Sequence, residues 1–367
     1  METLPLHTRL LLVPAVKQDA SPLFSRLPGE LRSQIFAHAL TDFPDPSPDR
    51  RYADETCYTR PTYFAPRRSD VALLRACRAV YAECWFLPFV LREQTHWLTA
   101  PDRAPPEYSV YMTPENLRWR LQEIREREGE QPPGGGRDVE IEGLRVFAQM
   151  YKLEEGGLAR LLRTPGLLPR RLVLTIRHTD WWFWEDDTDL SFDAKWIEDV
   201  CRALPDSVRE VCIELESLER KTGQVDAIAK QMCEKWFFKR KDGTALYPDC
   251  TGKSNEVSRW TGSSTWHNYQ WTRDEIEPGK IAYYIVSVTF RPEHIVRRNG
   301  GSVSDQTKAA AERGVFNQGF MKLQMSEREG NDESEWSDES EEGDESEESE
   351  ESDEGEESEE TDGALFQ

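Results

Sequence analysis

Proton-transfer chemistry most often begins at histidine, and this chain has six, isolated at positions 7, 38, 96, 178, 267 and 294. Two can be drawn into a hydrolytic constellation: His178 with Asp180 near a strand end, and His267 beside Ser264 and Cys250. A base and its nucleophile must lie within hydrogen-bond reach of each other. No G-x-S-x-G, P-loop, G-x-G-x-x-G or H-E-x-x-H motif accompanies them. A lone histidine near aromatic residues is more often structural, so a hydrolase is the third-ranked reading and no catalytic residue is expected. Asp186, Asp187, Asp189 and Asp193 offer oxygen ligands to a hard cation. An EF-type loop also needs a turn glycine and a terminal glutamate at fixed spacing, and neither is present. The cysteines fall at 57, 77, 84, 201, 212, 233 and 250, an odd number without C-x-x-C spacing. That pattern fits reduced thiols in an intracellular compartment and argues against a disulfide frame or a zinc site. No metal and no cofactor are expected.

Aromatic clusters are the stronger candidates for a site. Trp181-Trp182-Phe183-Trp184 precedes Glu185-Asp186-Asp187, and Trp260 to Trp271 form a Gly/Ser/Trp-rich loop that includes Trp266. Such loops can build recognition surfaces, where tryptophan carries much of the binding energy, or stack on sugars or bases. They can also fold inward, each ring burying roughly 150–250 Å². We expect most of these rings to be buried and some to remain at a partner surface, drawn from Trp181, Trp182, Trp184, Trp260, Trp266 and Trp271.

The elements that must position these loops alternate between strand and helix. Arg171–Arg177 alternates and is β-rich, a strand. Trp196, Val200 and Leu204 mark a helix, and Val208–Leu215 is a second strand. Val225, Ile228, Ala229, Met232 and Trp236 mark a longer helix, and Ile281–Phe290 is a third strand. This order favours parallel pairing with crossover helices; an irregular leucine-rich-repeat-like layer has no clean register to support it. Ile141 to Leu162 reads as a helix with Leu144, Phe147, Met150 and Tyr151 on one face, interrupted at Gly156-Gly157. Pro114-Glu115 opens a charged helix to about Glu128, and Gln131 to Gly136 breaks the pattern. The expected class is α+β or α/β, with about three core strands and crossover helices.

Charge divides the chain. Residues 326–367 hold 22 Asp and Glu against one Arg, net −21 of the chain's −23. There Ser, Gly or Thr recurs every third position from 334 to 361, almost always followed by two acids. With little to bury and strong self-repulsion, this tail is expected to be disordered, and it could bind basic proteins such as histones. The rest is near neutral, which gives no footprint for direct nucleic-acid binding. Lys239-Arg240-Lys241 is a weak nuclear signal. Leu10 to Val13 is cut by Pro14, too short for a signal peptide, and no apolar run approaches the ~20 residues of a membrane span. Cytoplasm, nucleus or both is the expected location.

Two further stretches carry most of the functional information. In Leu27-Pro28-Gly29-Glu30-Leu31-Arg32-Ser33-Gln34-Ile35-Phe36, Pro28 suits a helix start and Glu30 favours the positive end of the helix dipole. Leu27, Leu31 and Ile35, and then Phe36 and Leu40, make an apolar stripe. In Leu73 to Glu83, Leu73, Ala76, Val80 and Leu87 line one face, with Leu74, Cys77, Tyr81 and Trp85 beside it, and Asp70 is a candidate N-cap. Together the stretches resemble the two helical halves of an F-box. They resemble even more closely a group of uncharacterised filamentous-fungal F-box-like proteins, with an L-P-x-E-L-R-x-x-I-F helix and an L-x-x-x-C-R-x-V-Y-x-E helix. The resemblance implies docking to a Skp-type adaptor of a cullin ubiquitin ligase through Leu27, Pro28, Leu31, Ile35 and Phe36, with an unknown protein as substrate. The insertion between the helices, Asp42 to Ser69, is longer than a typical F-box connection. The expected organisation is a flexible start (1–21), a helical module with its Pro-rich insertion (22–98), a charged helix and linker (99–140), an α/β domain (141–300), a connecting segment (301–325) and the tail (326–367).

Overall fold

The computed structural model describes residues 6–106, 108, 114–128, 139–191, 193–250, 256–266 and 268–316. The acidic tail lies outside them. The chain begins with helices α1 (Leu6–Leu12), α2 (Pro22–Ser25) and α3 (Gly29–Ala39). Pro28 is the N-cap of α3, with Glu30 in its first turn. Beyond Leu40 the chain leaves the helix and forms β1 (Asp42–Pro44), which pairs antiparallel with β2 (Arg67–Ser69). Pro44 and the residue before it are both unsuited to helix.

The second motif is divided. A 3-10 turn, Ala72–Arg75, is followed by an extended Cys77 (φ −162°, ψ 166°) and then α4, Arg78–Cys84. Asp70 accepts from the Ala72 N–H at 2.8 Å, but it is not the N-cap expected: that position is Val71 for the turn and Cys77 for α4. α5 (Leu87–Val90) and β3 (Glu93–Leu98) follow. α6 (Pro114–Glu128) matches the charged helix read from sequence and buries Leu117, Leu121 and Ile124.

Next come β4 (Glu140–Ala148), α7 (Met150–Glu154), α8 (Gly157–Leu162), β5 (Leu168–Ile176), α9 (Trp196–Ala203), β6 (Glu210–Leu218) and α10 (Thr222–Lys235). The described chain ends with β7 (Phe238–Lys239), β8 (Ala245–Pro248), β9 (Glu256–Ser263), β10 (Thr265–Trp266), β11 (Tyr269–Gln270), β12 (Lys280–Pro292), α11 (Glu293–Arg298) and α12 (Asp305–Arg313). Eight strands form one sheet in the order β3-β4-β5-β6-β12-β8-β7, with β9 also pairing with β12. β3 to β6 are parallel, and β12 runs antiparallel to β6. The sheet is therefore mixed α/β and larger than the three strands expected. Of those three, β5 and β6 pair in parallel as anticipated and β12 does not.

Successive side chains on a strand point to opposite faces, so register sorts the sheet into two unlike surfaces. One face carries Leu144, Val146, Leu172, Leu174, Val211, Ile213, Val286 and Val288, all buried. α10 packs on this face, where Tyr284 Oη donates to Asp226 at 2.7 Å. Each such aliphatic side chain contributes about 1.5–3 kcal/mol on full burial. The opposite face carries Trp97, Arg145, Phe147, Thr175, Glu214, Glu216 and Tyr283.

Four sequence expectations change here. The helix read over Ile141–Leu162 is a strand followed by two short helices. β4 lies between β3 and β5 and is covered on both faces, so it is apolar at both parities. Leu144 and Phe147 point to opposite sides of the sheet and do not share a helical stripe. The sheet also reaches into the 22–98 stretch through β3. The start read as flexible contains α1, which His7 ties to the Tyr81 hydroxyl at 2.6 Å. The connecting segment contains α12, where Thr307 Oγ1 donates to the Glu234 carbonyl and Lys239 Nζ to that of Ala311. No helix among the described residues is long and apolar enough to cross a membrane.

Candidate functional site

The carboxyl ends of the parallel strands gather the chemistry-bearing residues. There the Asp42–Ser69 insertion folds back over the polar face of the sheet, its base held by the β1–β2 ribbon. Tyr63 packs edge-on against Phe147 and Trp97, with ring centroids 5.1 and 5.5 Å away, and stacks with Tyr52. Under this flap lie two buried ion pairs. Arg177 grips Asp180 with Nε–Oδ2 at 2.6 Å and Nη2–Oδ1 at 2.8 Å. It also donates to the Cys57 carbonyl of the flap and to the Arg103 carbonyl, and lies over the Trp97 and Phe147 rings. Arg60 of the flap reaches Glu216 of β6 at 3.1 Å. A neighbouring network joins Arg145 to Glu93 and Glu214, each at 2.7 Å, and these carboxylates hold the guanidinium pKa up against burial.

The two tryptophan loops meet at this end. Trp184, Trp266 and Trp271 form one cluster, with centroids 4.5, 5.7 and 6.1 Å apart. Trp181 donates to the Glu216 carbonyl and Trp260 to the Glu216 carboxylate. Trp260 also stacks on Tyr283 at 4.4 Å. Trp181, Trp184 and Trp266 are buried, whereas Trp182, Trp260 and Trp271 are half-buried. Trp181, Trp184 and Trp266 are therefore corrected from partner surface to core, while Trp182, Trp260 and Trp271 stay partly exposed. Among the described residues of these stretches, Phe183, at φ 50°, and Tyr269 are the rings left outside.

An open cavity of about 770 Å³ lies between the flap and the end of β9. Arg51, Thr59, Arg60 and Phe64 form one wall and Trp260 to Ser263 the other, with Glu277 and Lys280 at the turn into β12. A void of about 20 Å³ shares Thr59, Trp260 and Ser263 with it and is also lined by His178, Thr179 and Tyr283. Both His178 ring nitrogens and the Thr179 hydroxyl are buried without a hydrogen-bond partner, and this void has room for one water.

The proton-transfer candidates do not assemble. Asp180 is committed to Arg177, and burial pushes His178 down to about 3. Cys57 lines the same void, and burial pushes its thiol up. A base near 3 and a raised thiol are poorly matched to nucleophilic chemistry at neutral pH. His267 lies outside the described residues. Cys250 is bonded to Cys233 of α10 in a disulfide, with Cα atoms 6.4 Å apart. That corrects the expectation of seven reduced thiols; the other five are in no disulfide. Asp187 pairs with Arg220 and Lys221, which hold it down at about 2, and Asp189 accepts from Gln224. Among the described residues no cluster of three or more His, Cys, Asp or Glu could hold a metal.

The apolar stripe of α3 splits. Phe36, 1% exposed, and Leu40 are buried with Val80 and Cys84, joined by Leu73, Leu74, Cys77 and Leu87. Leu31 and Ile35 remain 46% and 45% exposed. Pro28 is exposed and Leu27 half-buried. Arg32 fixes α3 to α4 by two 2.9 Å bonds to Glu83. Phe36 is thus corrected from an adaptor contact to a core residue.

Sequence reasoning missed Arg60, Tyr63 and Glu216. Tyr52, Tyr58 and Tyr63 within the Pro-rich insertion were the available signal, because three rings in a loop need something to pack on. The chain matches no protein-family model, no curated protein and no solved structure.

Proposed function

We propose that this chain is a non-enzymatic interaction protein of the cytoplasm or nucleus, a substrate receptor or scaffold. Its F-box-like helices dock a Skp-type adaptor, and the sheet domain presents the protein substrate. The observation that carries this reading is the division of labour on α3. Phe36 and Leu40 anchor the helix, while Leu31 and Ile35 stand exposed on it beside Pro28. Apolar side chains grouped on a rigid helix suit helix-in-groove recognition. The insertion, which counted against a compact F-box in the sequence, leaves the helices through β1 and β2 and packs on the sheet, so Leu31 and Ile35 stay accessible. The test is co-purification of the tagged full chain with a purified Skp-type adaptor. Leu31→Ala with Ile35→Ala should abolish recovery while leaving thermal unfolding nearly unchanged. Recovery unaffected by this pair, or no recovery with the wild-type chain, would sink the proposal.

A second reading rests on the net −21 of residues 326–367: binding of histones or other basic proteins. It predicts salt-sensitive binding that disappears when 326–362 is deleted.

A further inference from the structure

We propose that the outer edge of β9 is a docking strand for an extended peptide segment of a partner protein, which adds a strand to the sheet. This names the partner surface of the receptor reading and takes its biological context from that reading. β9 is eight residues long, and every one is exposed or half-exposed. It pairs with β12 in unbroken register, from Glu256 opposite Ser287 to Ser263 opposite Lys280, and among the described residues no strand pairs with its other side. Edge strands are normally protected by shortness, proline, bulges or inward-pointing charge. β9 has no proline and no bulge, and Arg259 is drawn over its own sheet, stacked on Tyr284 and bonded to Glu219.

The 770 Å³ cavity lies along this edge. Four consecutive residues, Trp260 to Ser263, line it although their side chains alternate between the faces. Of their β12 neighbours, Lys280 opposite Ser263 lines it, whereas Ile281, Ala282 and Tyr283 do not. What the four share is the backbone edge facing away from β12. The facing wall is the flap, and it holds Arg60, 3% exposed, whose Nε and Nη1 have no partner although Nη2 is paired with Glu216. Charge on the walls is balanced: Arg51 and Lys280 against Asp54 and Glu277, and Arg60 against Glu216. That suits a neutral peptide backbone better than a highly charged ligand. At about 3.4 Å per residue, the lined stretch takes roughly four residues of the incoming strand, with alternate side chains supplying selectivity.

The full chain would be panned against a phage-displayed random dodecapeptide library, and enriched peptides measured against Thr261→Trp, an exposed position on the cavity wall. The expected result is peptides that bind at least about tenfold more weakly to the variant. N-methylation along such a peptide, tested on the wild-type chain, should abolish binding at every second amide, since strand addition uses alternate N–H groups. Leu31→Ala with Ile35→Ala should leave peptide binding unchanged, so failure here and failure of adaptor docking are separable. The inference is overturned if no Thr261-sensitive peptide is recovered or if the N-methyl profile lacks a period of two. It is also overturned if sedimentation shows a dimer of the chain itself that Thr261→Trp disperses, because the edge would then serve self-association.

Discussion

Replacing Arg177 by methionine tests the linkage between flap and sheet. The guanidinium is fully buried and connects β5 to Asp180, to the Cys57 carbonyl of the flap and to the Arg103 carbonyl. Without it, the Asp180 carboxylate keeps the Arg177 backbone N–H, and both carbonyls lose a donor. Removing one partner of a buried pair costs about 3–5 kcal/mol, because the remaining charge is stranded. The lost neutral hydrogen bonds, about 0.5–1.5 kcal/mol each, fall within that range. Urea unfolding of the full chain should show this loss as a lower midpoint at a similar slope. The Arg177→Met, Asp180→Leu double variant should recover much of it, since an apolar pair strands no charge. Limited proteolysis should cut the Arg177→Met chain first between residues 48 and 62. A loss below about 1 kcal/mol, or a double variant worse than the single one, would refute the picture of a flap fastened by a buried ion pair.

Acid should weaken the fold through His178. Its folded pKa is lowered from 6.5 to about 3, so below about 6.5 the unfolded chain takes up a proton that the folded chain refuses. Stability then declines as pH falls toward 3, by up to about 5 kcal/mol; His178→Phe should flatten that slope in urea titrations at stepped pH, and an unchanged slope would contradict it. Peptide mapping without reductant should recover Cys233 linked to Cys250. Cys250→Ser should cost about 3 kcal/mol for a loop of 17 residues, and recovery of both as free thiols would contradict the bond. Gly262→Ala should destabilise by about 1–3 kcal/mol, because a Cβ there would sit 2.6 Å from the Trp260 ring. The accompanying loss of the Trp260–Tyr283 stack should register as a shift in tryptophan fluorescence; a neutral substitution with unchanged emission would contradict the packing.

Legibility of the fold followed burial. β5, β6 and β12 announced themselves through β-branched runs and alternation. α9 and α10 did so through apolar residues three and four apart. β4 was hidden because burial on both faces erased its period of two and left Leu144 and Phe147 at helical spacing. β3 was hidden by polarity: Glu93 and Thr95 face Arg145 and its network, so no apolar alternation appears. β9 is largely exposed, and its two apolar side chains, Val257 and Trp260, are three apart and show no alternation, which is also why the candidate edge went unread. Trp181–Trp184 was legible as a loop, but Trp260–Trp271, read as a loop, contains the end of β9 and the β10–β11 hairpin; whether a ring is fastener or contact depends on neighbours such as Glu216 and Tyr283, which lie far away in sequence. The disulfide was illegible for a related reason. A 17-residue spacing has no pattern, and only the packing of α10 brings Cys233 to Cys250. On α3 the periodicity correctly marked the apolar positions and could not distinguish Phe36, which is core, from Leu31 and Ile35, which are not.

The proposed docking through Leu31 and Ile35 is tested by titration calorimetry of the full chain with a purified Skp-type adaptor. Saturable one-to-one binding with a negative heat-capacity change from apolar burial is expected. Leu31→Ala with Ile35→Ala should weaken it by at least about 2 kcal/mol, roughly thirtyfold, with the unfolding midpoint preserved. No heat of binding with the wild-type chain, or equal affinity in the variant, would contradict it.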